Sequence, residues 1–135
     1  MAIHIQTGKQ KKVAIVFSCP GRREEEAGFP AAKTTGKNLD NLLMLLSREL
    51  KREDLIRDCI TITNAWPIVE YREKTGRSEA TEQEVKDAEN IERLKRELDN
   101  VLEFVIFCGD RAKAASESLQ LKERPKFIHV KHLGT

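Results

Sequence analysis

The chain has 135 residues, with 24 Lys and Arg against 22 Asp and Glu, and it is 39% hydrophobic but only 5% aromatic. That balance excludes a disordered polyelectrolyte and a binder that grips nucleic acid through bulk charge alone. The length suits a single domain, residues 1–135, whose core is built from Leu, Ile, Val and Ala.

Cys19, Cys59 and Cys108 are too far apart in sequence for a disulfide framework or a zinc site. The expectation is therefore a reduced, cytoplasmic setting with no metal. No apolar run approaches the roughly 18 residues of a membrane span, and the polar, basic N-terminus is no secretory signal.

In chain order, residues 12–18 (KVAIVFS) predict a strand buried on both faces, closed by the turn Cys19-Pro20-Gly21. From Arg22 to Thr35 no period is visible, which predicts a long functional loop with room for one helical turn. From Gly36, Leu39, Leu42, Leu43, Leu46 and Leu50 recur at helical spacing. A short helix over 52–57 and a strand over 58–63 (DCITIT) follow, the strand ending at Asn64-Ala65-Trp66-Pro67. Residues 68–80 read as irregular. Thr81-Glu82-Gln83-Glu84 is a capping box, and Val85, Ala88, Ile91, Leu94 and Leu98 mark one face of the helix behind it. A third strand spans 103–108 (EFVIFC). Asp110 is placed to cap a helix to Glu117, and a fourth strand spans 126–131 (KFIHVK) before His132-Leu133-Gly134-Thr135.

Strands that alternate with helices pair in parallel. The fold class is therefore α/β, a three-layer α/β/α sandwich with a four-stranded parallel sheet. In such sheets ligands bind beyond the carboxyl ends of the strands. Those ends carry Ser18-Cys19-Pro20-Gly21, Asn64-Ala65-Trp66-Pro67, Gly109-Asp110 and His132-Leu133-Gly134. A Walker A loop at Thr34–Asn38 fails, because position 31 is Ala and position 38 is Asn.

Pro20-Gly21, Glu24, Gly28-Phe29-Pro30 and Gly36 follow the first strand at the spacing of a known motif. With Ile62-Thr63-Asn64, Thr81–Val85, Phe107–Ala112 and His132-Leu133-Gly134 in order behind them, the chain resembles the uracil-DNA glycosylase superfamily. The similarity is closest to the branch of thermostable iron–sulfur enzymes. The resemblance implies a metal-independent hydrolase that flips a uracil or modified base out of DNA and cleaves its N-glycosidic bond. Its partner would be single- or double-stranded DNA, or a free nucleobase or nucleotide.

On that resemblance Asn64 reads the base edge, since an amide offers both a donor and an acceptor. As a plain residue it would end a strand or form an Asx turn. His132 would donate to the leaving base, or be a satisfied strand-end histidine, with His129 as a rival. Ser18 stands where the iron–sulfur branch has glutamate, and Glu24 is the nearest other acid. Pro20 and Gly21 would border the base. Ala31 occupies the place of the stacking aromatic, so Phe29 or Trp66 would substitute, although Trp66 serves equally as a packed aromatic. Arg22, Arg23, Lys33 and Lys37, with Lys122, Arg124 and Lys126, are candidates for phosphate contacts. The cluster cysteines are missing, so no cofactor is expected. On the resemblance, the single domain is expected to be short at its C-terminal end, where the family continues into a DNA-wedging loop. Ser18 and Ala31 motivate the alternative, a catalytically weak or inactive binding module with the same pocket.

Overall fold

The structure is a computed structural model that describes residues 2–133. Gly134, the last residue of the final motif, lies outside the described residues.

Four strands form the sheet: β1 (Val13–Phe17), β2 (Thr61–Asn64), β3 (Phe104–Cys108) and β4 (Lys126–Val130). Their order is β2-β1-β3-β4, and every pairing is parallel. Phe17 lies beside Asn64 and Phe107 beside His129, so the strand ends converge on one edge.

Strand side chains alternate between two faces. Ala14, Val16, Val105 and Phe107 enter one core with Leu94, Leu98, Ala112 and Ala115. Val13, Ile15, Phe17 and Ile106 enter the other with Leu39, Leu43, Leu55 and Ile60. The sheet is thus covered on both sides, and the three-layer arrangement follows. Helix α2 (Lys33–Leu50) covers the second face; α4 (Glu82–Val85), α5 (Ala88–Leu98) and α6 (Asp110–Glu117) cover the first.

Several local expectations need correction. The stretch after β1 is not a long loop: α1 (Arg22–Ala27) forms there, and α2 starts at Lys33, before Gly36. Glu24 reaches back to the Gly21 N–H, and Gly28 ends α1 at φ +82°. This helix buries no side chain, so it leaves no apolar period to read. Residues 52–57 form no α-helix; a 3-10 turn at Arg57–Cys59 replaces it. Within 68–80 a short helix, α3 (Arg72–Thr75), appears.

The capping box at Thr81 is present, but the helix it opens stops at Val85. Asp87 then caps α5 separately through the Glu89 N–H. The break takes Ala88 out of the buried stripe, which runs Asn90, Leu94, Leu98 instead. At α6 the cap is Gly109, at φ +89°, and Asp110 is the first helical residue.

Candidate functional site

Where β1 ends, its chain turns toward α2 on one face; where β3 ends, its chain turns toward α6 on the other. Ligands bind where strand order reverses in this way. Two hollows open along this edge. The smaller, about 190 Å³, is lined by Phe17, Cys19, Gly21, Glu24, Ala31, Thr35, Asn64, Ser78 and His132. The second, about 640 Å³, runs between the ends of β1, β3 and β4, and its walls include Ser18, Glu79, Asp110, Lys113, His129, Lys131 and His132. His132 borders both. A larger hollow, about 690 Å³, lies elsewhere, at the amino end of β4 beside Lys122, Arg124 and Pro125. It is far from the converging strand ends, so volume does not locate the chemistry.

Asn64 is 2% exposed. Its Nδ2 donates to the His4 carbonyl at 3.0 Å. A carbonyl only accepts, so this bond fixes which end of the amide is nitrogen. One Nδ2–H and the Oδ1 remain without a partner among the described residues. Behind Asn64 sits a charged bracket. Arg93 donates to the Asn64 and Ala65 carbonyls, each at 2.9 Å, and to Glu97 at 2.8 Å. Glu97 also accepts from Thr63 at 2.6 Å and pairs with His4 at 2.9 Å. Burial pulls the Arg93 pKa down, against the nearby Glu97 charge. The N-terminal segment completes the bracket through an antiparallel bridge between Gln6 and Ile62. Nothing in the polar residues 2–11 marks that role in the sequence.

Glu24 borders the small cavity, but each of its oxygens holds a backbone N–H: Gly21 at 2.8 Å and Ala32 at 2.9 Å. It ties the β1 turn to the start of α2, and it occupies the Gly21 N–H beside the cavity. Pro20 is buried, and its carbonyl accepts from Glu70 N at 3.0 Å. Ala31 is buried at φ +53°. Its carbonyl lies 2.4 Å from where a Cβ on Gly36 would stand, so α2 approaches this turn only through glycine. Gly109 packs in turn against the His132 ring. Burial is the main push that raises the Cys19 thiol to about 11, which keeps this cavity-lining sulfur protonated at neutral pH.

The two aromatic candidates do not reach the cavity. Phe29 is 37% exposed and lies under the Arg57 guanidinium. Trp66 packs on the first core, and its Nε1 donates to Glu70 at 3.0 Å. Ala31 therefore contributes no ring, and the aromatic residue that lines the cavity is Phe17, at the end of β1. His129 stacks on Phe107 and pairs with Ser116 Oγ at 2.9 Å, so His132 is the imidazole shared by both hollows.

Among the cations, Arg22 pairs with Glu73 at 2.8 Å and covers Tyr71, and Arg23 approaches Glu26 at 3.8 Å. Lys33 and Lys37 are exposed at the start of α2. Lys122, Arg124 and Lys126 lie at the amino end of β4, on the wrong edge of a parallel sheet for this site. Lys113 and Lys131, which sequence reasoning missed, line the groove instead. Only pairing β3 with β4 brings those two together, so no local signal marks them.

Cys19, Cys59 and Cys108 are free thiols, and no three His, Cys, Asp or Glu side chains gather as a metal-ligand set among the described residues. The residues present do not fit an iron–sulfur cluster. A search of curated proteins found no match. The family model of the uracil DNA glycosylase superfamily matches residues 5–133, nearly the whole chain and every element of this edge. Proteins of that superfamily are in general hydrolases that act on DNA as glycosylases. With its all-parallel four-stranded sheet and this match, the chain belongs to the uracil DNA glycosylase superfamily.

Proposed function

We propose that this chain hydrolyses the N-glycosidic bond of a uracil flipped out of DNA. The observation that carries the proposal is one cavity bordered by both Asn64 and His132. At about 190 Å³ it is smaller than the roughly 300–1,000 Å³ of a typical ligand pocket, and it suits one pyrimidine rather than a whole nucleotide. The amide of Asn64, oriented by His4, offers a donor to a carbonyl and an acceptor to an imide N–H. When the bond breaks, its electron pair leaves with the base nitrogen. His132 donates to the base carbonyl on which that charge accumulates. Water adds to the sugar carbon, and its proton balances the departing base. Glu24 holds the turn in shape rather than acting as the base, since both of its oxygens already accept backbone N–H groups. Lys113 and Lys131 are suited to the flanking phosphates.

A second reading draws on that same engagement of Glu24 and on Ser18 at the strand end: a module that binds the base without cutting it. Both readings are tested with a uracil-containing single-stranded oligonucleotide, followed by alkaline cleavage of abasic sites. Scission by the native chain that is lost in Asn64→Ala and His132→Ala supports the hydrolase. Binding without scission overturns it in favour of the module.

A further inference from the structure

We propose that Glu79 is the catalytic carboxylate that orients and deprotonates the attacking water. This rests on the hydrolase reading above. Ser18 directly follows β1, is 7% exposed and borders the groove next to the base cavity. Its Oγ donates to Glu79 Oε2 at 3.4 Å. Glu79 comes from a different element, the segment between α3 and α4, and borders the same groove. Its other oxygen lies 3.4 Å from Arg111 Nη2. Arg111 Nε also donates to the Ala80 carbonyl at 2.7 Å, which pins the backbone next to Glu79.

The carboxylate is therefore held from two sides. Its side chain is still 46% exposed, open to solvent in the groove. Glu24 differs on that point: both of its oxygens are committed to backbone N–H groups. Glu79 thus combines a fixed position with room for a water, which Glu24 does not. The groove meets the base cavity at His132, so a water on Glu79 stands beside a sugar whose base fills that cavity.

The step balances without a further reactant. The C–N bond breaks and its electron pair leaves with the base. The water oxygen bonds to the sugar carbon. One water proton passes to Glu79 and then, through solvent, to the base nitrogen, which restores the carboxylate.

The test is single-turnover excision of uracil from a single-stranded oligonucleotide with the protein in excess. It compares the native chain, Glu79→Gln, and the double variant Ser18→Glu with Glu79→Gln. Glutamine still accepts the Ser18 hydrogen bond but cannot take a proton. The expected result is a fall in rate of about 100-fold or more in Glu79→Gln, within the usual range for removing a general base. Affinity for an oligonucleotide carrying a non-cleavable 2′-fluoro-deoxyuridine stays within about twofold of native, as expected when a group acts on the chemical step and not on binding. The double variant, whose new carboxylate grows from the atom Glu79 now touches, regains at least about tenfold, a part of the roughly 100- to 10,000-fold a general base supplies. A loss in Glu79→Gln below about tenfold, or an equal loss of binding, overturns the assignment while leaving the hydrolase reading intact. A native chain that excises nothing overturns both.

Discussion

Replacing Gly36 with alanine sets helix propensity against packing. Gly36 lies in the first turns of α2, where alanine would ordinarily stabilise the helix by about 0.5–1 kcal/mol. Here the new Cβ would stand 2.4 Å from the Ala31 carbonyl oxygen and 3.0 Å from Arg57 Nη1. Ordinary contact begins near 3.4 Å, so the backbone oxygen is a full 1.0 Å too close. Arg57 can swing aside, but Ala31 cannot easily do so. It is buried at φ +53°, and the N–H of the following Ala32 is held by Glu24. Overpacking costs about 1–3 kcal/mol, and a rigid backbone obstacle places this case near 3. After subtracting the propensity gain, Gly36→Ala is expected to lose about 2 kcal/mol. For a chain of this length that lowers the thermal midpoint by about 6–10 °C. Urea unfolding followed by circular dichroism measures the first quantity and a thermal scan the second. A variant as stable as the native chain, or more so, would refute the close approach of α2 to the Ala31 turn.

Two further predictions concern the charged brackets. Arg93→Ala takes a donor from the Asn64 and Ala65 carbonyls and removes the arginine charge paired with the largely buried Glu97 carboxylate. It is expected to cost about 3–5 kcal/mol in urea unfolding, and a loss below 1 kcal/mol would mean that the bracket behind Asn64 is not formed in solution. Arg77 bridges Glu70 and Glu84, each at 2.6 Å, and is the main reason the Glu84 carboxyl sits at about 2, below its ordinary 4.5. Because the folded value lies below the unfolded one, the stability gained is complete above about 4.5 and is lost as the pH falls through about 2. Arg77→Met should therefore be less stable than native at pH 7, by a gap that closes between pH 4.5 and pH 2. Urea midpoints at pH 7, 5, 3 and 2 check this, and a gap independent of pH refutes it.

Much of this protein was legible in the sequence because the relevant signals are local. The apolar runs around Val13–Phe17 and Phe104–Cys108, the leucine spacing of α2 and the capping box at Thr81 each report on their own neighbours. Their order implied the parallel sheet, and the strand-end residues Asn64 and His132 were candidates before any geometry was known. Helix α1 was not legible, because it buries no side chain, and neither was the break at Lys86-Asp87, because each half of that helix carries good helix signals.

The division within the site has the same cause. Sequence alone determined which residue types stand at the carboxyl edge, since strand ends are set by local pattern. Only the tertiary structure decided which of them share a cavity. It brought the His4 carbonyl to Asn64 across 60 positions and Glu79 to Ser18 across 61. It also drew Phe29 and Trp66 away to Arg57 and Glu70, and engaged Glu24 with backbone amides. Those outcomes depend on which strand pairs with which and on which face each connection crosses. Such contacts between residues distant in the chain leave no local pattern in either partner.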